Sequence, residues 1–279
     1  MTVSVIVPTF NAEKWINDQL AALATQAYAG WWELIVADNG STDGTRAIAA
    51  RWEPRFPAFR LLDASHVRGA SHARNQAARE AAGDLLLFTD VDDVVSTNWI
   101  ALLTEGLSDA AIVTGPVVHF VDGRPLSGND AQEAARRPRV GSLVPPIGCN
   151  MGITRDVFQQ LGGFDETITL GWEDIDLGIR AARRSYSTAW VGGATVFRRR
   201  PHSARAIWRK EFGYGRGWTM LERRYPQALP DGWVRPLLHR AGWIAIRVPY
   251  VAFPSRRRAW IVRAAGFAGR VAERLRPSS

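Results

Sequence analysis

Apolar positions along the first two-thirds of the chain fall in short blocks whose period alternates between strand-like and helix-like spacing, and that alternation predicts the order of elements. Residues 3–7, Val-Ser-Val-Ile-Val, form a β-branched run closed by Pro8, and residues 12–27 place apolar side chains at helical spacing. A second strand at 33–37 leads into the turn-rich Asp38-Asn39-Gly40-Ser41-Thr42-Asp43-Gly44 and a helix over 45–52. Residues 60–62 predict a third strand, the alanine-rich 70–82 a third helix, and 85–88 a buried strand that runs straight into Thr89-Asp90-Val91-Asp92-Asp93. Such alternation predicts an α/β fold with a mostly parallel central sheet flanked by helices.

After an apolar strand at 112–118 the alternation lapses. Residues 122–146 carry Gly, Pro and charge without a period and read as a mobile loop region. Order resumes at Gly148-Cys149-Asn150-Met151, then a helix near 155–161, the turn Gly162-Gly163-Phe164-Asp165 and a helix beginning near Glu173. Beyond Arg198 the pattern is mainly helical, with Gly213-Tyr214-Gly215-Arg216-Gly217-Trp218 expected as a flexible segment over the site.

A chain of 279 residues, 46% hydrophobic and 22% charged, can bury a large core, which excludes a disordered chain or a small stapled scaffold. Its one cysteine, Cys149, permits no internal disulfide. The net charge of +8 is unevenly placed: residues 198–279 hold 19 Lys or Arg against 4 acids, and the remainder is acidic at −7. The basic stretch interleaves its arginines with Trp233, Trp243, Ile246, Phe253 and Trp260, a mixture that favours a membrane interface over nucleic acid. Its longest mainly apolar stretch, 241–253, is interrupted by Arg247 and Pro249 and falls short of the roughly 20 residues of a membrane span. The N-terminus lacks the basic start and apolar run of a signal peptide. The expected location is therefore cytoplasmic, with peripheral contact at the inner face of the cytoplasmic membrane.

Ligands of open parallel sheets bind at the carboxyl ends of the strands, and acids stand there: Asp38 after the second strand, Asp90 and Asp92 after the fourth. A single acid such as Asp38 also serves as a helix cap. Three carboxylates in Asp90-Val91-Asp92-Asp93 repel one another and call for a cation or a dense set of donors. Hard oxygen ligands select Mg²⁺ or Mn²⁺, an ion suited to neutralising a diphosphate. No P-loop follows the first strand, and no Gly-x-Gly-x-x-Gly opens the first helix.

Six stretches together resemble the inverting, nucleotide-sugar-dependent glycosyltransferases of family 2, which share the GT-A fold. They are Ser4-Val5-Ile6-Val7-Pro8-Thr9-Phe10-Asn11, Ala37-Asp38-Asn39-Gly40-Ser41-Thr42-Asp43-Gly44-Thr45, Gly69 through Ala73-Arg74-Asn75, Phe88-Thr89-Asp90-Val91-Asp92-Asp93, Gly162-Gly163-Phe164-Asp165-Glu166 and Trp172-Glu173-Asp174. The resemblance implies a GT-A domain over 1–225, with a nucleotide-sugar-binding half at 1–115 and an acceptor half at 116–225, and a basic amphipathic segment at 226–279. It implies that Pro8, Thr9 and Asn11 line the nucleotide pocket, that Asp38 accepts a hydrogen bond from the base, and that Arg74 helps hold nucleotide or phosphate. Asp90 and Asp92 match the family's Asp-x-Asp motif, toward ribose and metal-bridged diphosphate, with Asp93 able to share the task. His202 matches the region of a third metal ligand. Asn39 stands where many relatives have a second Asp, so it receives no metal or base-pairing role.

The same resemblance puts Glu173 and Asp174 at the acceptor side, where a carboxylate deprotonates the attacking hydroxyl; Asp174 is the expected base and Glu173 the runner-up or an orienting contact. Taken alone, these acids equally complement the dipole of the helix they open. Trp172 is placed to stack on an acceptor sugar. The implied partners are a nucleotide-sugar donor, UDP-sugar favoured, and a glycan or lipid-linked acceptor, with no nucleic acid. Two rivals remain: a metal-dependent nucleotidyltransferase, whose glycine-rich basic start is replaced by Val7-Pro8-Thr9-Phe10-Asn11, and a nucleic-acid-binding protein using the basic tail.

Overall fold

Runs of Val, Ile and Leu that bury both faces form the inner strands of a parallel sheet. The computed structural model of the protein describes residues 1–121, 124–125, 139–140, 143–199, 203–229, 243–248 and 253–276. The elements in chain order are β1 (Val3–Thr9), α1 (Ile16–Ala24), β2 (Trp32–Asp38), α2 (Thr45–Arg51), β3 (Phe59–Asp63), α3 (Ala70–Glu80), β4 (Leu85–Thr89), β5 (Asp93–Val95), α4 (Trp99–Gly106) and β6 (Ile112–Thr114). They continue as β7 (Val117–Val121), β8 (Arg124–Pro125), β9 (Asn150–Thr154), α5 (Arg155–Gln160), α6 (Glu173–Arg183), β10 (Thr188–Trp190), β11 (Val196–Arg199), α7 (Ala204–Arg224) and α8 (Pro254–Arg274).

Seven strands make the main sheet in the order β10-β6-β9-β4-β1-β2-β3. It is parallel except for β9, which runs antiparallel to both β4 and β6. Alternation along each strand divides the core in two. Val3, Val5, Val7, Leu34, Val36 and Leu87 face the apolar stripes of α1 and α4, whereas Ile6, Ile35, Leu86 and Phe88 face the alanines of α3 and the rings of Phe158 and Phe164. Ala73, Ala77 and Ala78 are small enough to seat α3 close against the sheet.

A second sheet, β5-β11-β7-β8, was not legible in the sequence pattern. The expected strand at 112–118 is instead two strands, one in each sheet, because Gly115-Pro116 interrupts it. A methyl at Gly115 would overlap the Ala194 carbonyl, so the chain turns there with its backbone in contact with the loop before β11. Asn150 fastens this junction from full burial: its amide nitrogen donates to Pro116 O at 2.9 Å and Ala194 O at 2.8 Å, and its Oδ1 accepts from Trp99 Nε1 at 2.8 Å. Most of the expected loop at 122–146 lies outside the described residues.

The chain packs as two compact units, Met1–Thr167 with Glu173–Arg200, and Ile168–Trp172 with Pro201–Ser279. The first holds both sheets. The pattern-based division after residue 225 is thus joined by a packing division at other points, since α7 belongs with α8 in the second unit. The glycine-rich stretch 213–218 is not a flexible segment; it lies inside the continuous helix α7. Gly215 of this stretch and Gly269 of α8 serve close helix–helix approach, because a methyl at Gly215 would overlap the Gly266 carbonyl and one at Gly269 the Phe212 carbonyl. Packing thereby overrides the poor helix propensity of glycine. Ion pairs from Glu222 to Arg270 (3.1 Å) and Arg274 (2.9 Å), and from Glu273 to Arg216 (2.8 Å), reinforce the pair.

Gly213, in the same helix, has nothing within 4 Å of the position a Cβ would occupy. Thermal melts of the whole chain should therefore separate two glycines by sign: Gly213→Ala stabilises by about 0.5–1 kcal/mol through helix propensity, and Gly269→Ala destabilises by about 1–3 kcal/mol through overpacking. Equal effects would refute the close-approach account.

Candidate active site

The carboxyl ends of β1, β2 and β4 open on a cleft of about 690 Å³ in the first unit, lined by Pro8, Thr9, Phe10, Asn39, Arg68, Gly69, Ala70, Ala73, Arg74, Asp90, Val91, Asp92 and Glu173. Six of the expected site residues, Pro8, Thr9, Arg74, Asp90, Asp92 and Glu173, are thus brought together. The α3 N-terminus borders the cleft without a side-chain cap, leaving its first backbone amides directed to an anion-favouring position.

Arg74 organises the cleft. Its side chain is buried, and its two terminal nitrogens reach different acids, Asp90 Oδ1 at 2.6 Å and Glu173 Oε1 at 2.9 Å. Burial works against the charge, but the two carboxylates outweigh it and hold the guanidinium protonated. The neighbouring Asn75 explains the rest of the Ala-Arg-Asn motif: its amide donates to Phe164 O and Glu166 Oε1 and accepts from Phe164 N. The Gly162-Gly163-Phe164-Asp165-Glu166 motif is therefore a clip on α3, with both glycines at positive φ of 75° and 71°. Arg180 of α6 fixes the same turn through Leu161 O and Gly163 O (2.8 Å) while paired with Asp176 at 2.7 Å.

The three aspartates after β4 have different environments. Asp90 is shared between Arg74 and Arg198, the latter at 3.0 Å. Asp92 is exposed and lines the cleft. Asp93 begins β5, is buried, and meets Arg198 at 3.2 Å. Burial, reinforced by the charges of Asp90 and Asp92, pushes the Asp93 carboxyl up to about 7, and Arg198 opposes the shift. Asp90, Asp93 and Cys149 offer ligand atoms within 4.8 Å of one another. Burial holds the Cys149 thiol protonated, and Arg198 already pairs with both carboxylates, so this trio is a poor donor set for a hard divalent ion. Asp92 with Asp90 fits such an ion better: Mg²⁺-type sites use one or two carboxylates and leave the remaining positions to phosphate and water.

Four other expected residues stand outside the cleft lining. Asn11 adopts the left-handed conformation (φ 47°) and ties two loops together, its Oδ1 accepting from Thr42 N at 2.8 Å and its N–H donating to Ser41 Oγ. Asp38 is buried at the end of β2, with Oδ2 accepting from Ser41 N and Arg46 and Oδ1 buried without a hydrogen-bond partner among the described residues. Asp174 sits beside Gly148, its Oδ2 accepting from Gly148 N at 2.8 Å and its Oδ1 from Ile175 N at 2.8 Å. Burial, then the adjacent Glu173 charge, pushes the Asp174 carboxyl up to about 6. Trp172 belongs to the second unit. His202 lies outside the described residues.

Sequence reading missed three contributors. Arg198, counted there as the start of the basic tail, lies in β11, where the Val196-x-Arg198 alternation was the available signal. Phe10 presents a half-exposed ring beneath Arg68, whose guanidinium carbon is 4.9 Å from the ring centre. Asn39 staples the loop before α3: its Nδ2 donates to Ala64 O and Val67 O and its Oδ1 accepts from Gly69 N. An aspartate at 39 would set oxygens against two carbonyls, which accounts for the amide.

The family model described as Glycosyl transferase family 2 matches residues 4–162, and that described as Glycosyl transferase family group 2 matches residues 85–271. AglE, a glycosyltransferase of Haloferax volcanii, is 27% identical across 98% of this chain and 96% of its own length. WfgD of Escherichia coli, named as a UDP-Glc:alpha-D-GlcNAc-diphosphoundecaprenol beta-1,3-glucosyltransferase, is 37% identical over 36% of each chain, so that match spans about a third of it. Among solved structures, the mannosyltransferase PcManGT from Pyrobaculum calidifontis, in complex with GDP-Man and Mn²⁺, superposes with a TM-score of 0.72 at 21% identity, covering 98% of this chain and 87% of that one. Residues 1–349 of S. aureus TarS, in complex with UDP-GlcNAc, give 0.55 at 16% identity over 98% and 92%. These likenesses establish the GT-A fold.

Arg74→Met should cost up to about 3–5 kcal/mol in chemical unfolding, because it leaves the largely buried Glu173 without its arginine and Asp90 with Arg198 alone. Adding Glu173→Gln should recover part of that loss. A double variant no more stable than the single one would show that charge neutralisation is not what Arg74 supplies.

Proposed function

The chain belongs to glycosyl transferase family 2, and from that premise we propose that it transfers a sugar, with inversion, from a nucleotide-diphosphate sugar to an acceptor hydroxyl during assembly of a cell-surface polysaccharide or glycolipid. The observation that carries the proposal is the convergence of Asp90, Asp92, Arg74 and Glu173 at the strand ends, beside the uncapped start of α3. The donors bound by PcManGT and TarS support a nucleotide sugar, with UDP-sugar favoured.

In this reading Pro8 and Thr9 wall the nucleotide site, Phe10 and Arg68 offer flat faces to a base, and the Asp38 Oδ1 keeps acceptor capacity for a base N–H. Asp92 and Asp90 would hold Mn²⁺ or Mg²⁺. When bound, the ion supplies charge that offsets the departing diphosphate. Arg74 holds Asp90 and Glu173 in register for the donor and acceptor sides. Asp174 takes the acceptor proton as the acceptor oxygen bonds to the anomeric carbon and the bond to the diphosphate breaks. A carboxyl near 6 suits a base at neutral pH, and two backbone donors fix its orientation. Glu173, committed to Arg74, orients the acceptor.

No observation favours the rivals. Among the described residues, several arginines of the basic stretch are spent on ion pairs, Arg198 with Asp93, Arg216 with Glu273 and Arg270 with Glu222. No helix among the described residues is long and apolar enough to cross a membrane. Ile246, Val248, Phe253 and Leu275 are exposed, as are Arg256, Arg257 and Arg276, a combination that supports peripheral contact with an anionic membrane face.

Calorimetric titration with UDP, GDP and dTDP, each with Mn²⁺ and with EDTA, should show metal-dependent binding of one nucleotide that Asp92→Ala abolishes. Asp174→Asn should keep that binding, lose transfer by about 10²–10⁴-fold, and remove a rate limb that in the parent falls as pH drops through about 6, where the base becomes protonated. Nucleotide binding by none, or full transfer by Asp174→Asn, would sink the reading. For membrane contact, Ile246→Ser with Phe253→Ser should weaken co-sedimentation with phosphatidylglycerol vesicles at low salt; unchanged sedimentation would exclude this surface.

A further inference from the structure

Helix α1 turns an apolar stripe of Ile16, Leu20 and Leu23 to the sheet, and one polar side chain stands in that stripe: Gln19, with none of its surface exposed. A buried amide costs stability unless its groups are bonded, and leucine would serve packing as well at an inward helix position. The reason for an amide lies in what it reaches.

Gln19 Nε2 donates to Thr89 Oγ1 at 2.9 Å and to Asp90 O at 3.1 Å, and its Oε1 accepts from Val95 N at 3.2 Å. Thr89 is the last residue of β4 in the main sheet, and Val95 is the last of β5, an edge strand of the second sheet. One side chain thus ties the two sheets together where the chain passes from one to the other. The passage is the turn Asp90-Val91-Asp92-Asp93, closed by Asp93 N donating to Asp90 O at 3.3 Å. Gln19 brings a second donor to that carbonyl, and Val91 anchors the turn from inside, in the apolar cluster that holds Ile16 and Leu20. Asp92 stands between these fixed points and is exposed at the cleft.

The contacts suit glutamine alone among residues of its length, because they use both amide hydrogens and the amide oxygen. A carboxylate would set an oxygen against the Asp90 carbonyl, and an apolar chain would leave Val95 N without this acceptor. The grip is also two-sided: Arg74 and Arg198 hold the Asp90 carboxylate, whereas Gln19 holds its carbonyl from the side of α1. Gln26, just past the end of α1, offers an internal comparison. Its Nε2 donates to Ala22 O at 3.1 Å and Ser96 O at 2.8 Å, and its Oε1 accepts from Ile100 N at 3.0 Å. It makes as many bonds, but to the segment after β5 instead of the aspartate turn.

We propose that Gln19 is a positioning residue for the donor site: by fixing the backbone on both sides of Asp92 it holds that carboxylate in place for the divalent ion of the nucleotide complex, and so sets the affinity for the ion. The proposal rests on the reading of Asp90 and Asp92 as the ligands of that ion. Groups that support a metal ligand from behind act on affinity without touching the metal.

The test titrates Mn²⁺ calorimetrically into the full chain with UDP, GDP and dTDP in excess in turn, for the parent, Gln19→Met and Gln26→Met. Each variant exchanges an amide for an uncharged chain of similar length and loses three bonds, so both should melt at a lower temperature than the parent. Gln19→Met should raise the Mn²⁺ concentration at half-saturation about tenfold, the low end for groups behind a metal ligand, while Gln26→Met stays within about twofold of the parent. Should Gln19→Met fail to fold, Gln19→Asn, whose amide falls one carbon short of its partners, carries the same expectation. An unchanged half-saturation in a folded Gln19 variant, or an equal rise in both glutamine variants, overturns the positioning role and leaves the transferase reading standing. A parent chain that binds none of the three nucleotides with Mn²⁺ overturns that reading, and the role of Gln19 with it.

Discussion

A guanidinium taken out of water must be met by carboxylates, and the cleft of this enzyme is arranged around that requirement at Arg74. Its partners, Asp90 and Glu173, come from the end of β4 and the start of α6. The pairing continues from Asp90 to Arg198 and from Arg198 to Asp93, so acids and arginines alternate across the floor. In such alternation the guanidiniums of Arg74 and Arg198 offset the repulsion of the clustered carboxylates. Asn75, Glu166 and Arg180 then fix the backbone segments on which the members of this network stand.

One consequence is that adjacent acids do different work. Asp92 and Asp93 are neighbours, but Asp93 enters β5 and points into the packed interior, whereas Asp92 remains in the turn at the cleft. Glu173 and Asp174 divide in a similar way. Glu173 is bound to Arg74, and burial together with the adjacent Glu173 charge raises the Asp174 carboxyl to about 6 against the pull of two backbone amides. Burial and pairing, more than residue type, assign chemistry to these positions.

The second unit follows a different rule. Its two long helices approach through glycines at Gly215, Gly266 and Gly269, and the space beside those contacts is lined mainly by aromatic rings, with Glu211, Arg263 and Arg270. A pattern of Gly-x-Gly-x-Gly in α7 resembles a flexible linker when propensity alone is considered. In the packed unit Gly215 of this pattern permits the backbone contact that brings the helices together.

The strand–helix alternation through β4, the mostly parallel sheet, and the clustering of acids at its carboxyl edge were legible in the sequence, because hydrophobic period and turn residues are local properties. Six of the expected residues do meet in one cleft. Other features could not be read that way: the second sheet, the placement of Arg198 in a strand instead of the tail, the structural use of Asn11 and Asn39, and the helical state of 213–218. Each depends on contacts between residues distant in the chain, as in Arg198 against Asp93 or Gly269 against Phe212. The sequence by itself determined which chemical groups lie at the strand ends; only the tertiary structure decided which of them are desolvated, paired or left facing the cleft, because dielectric environment and partner distance arise from packing.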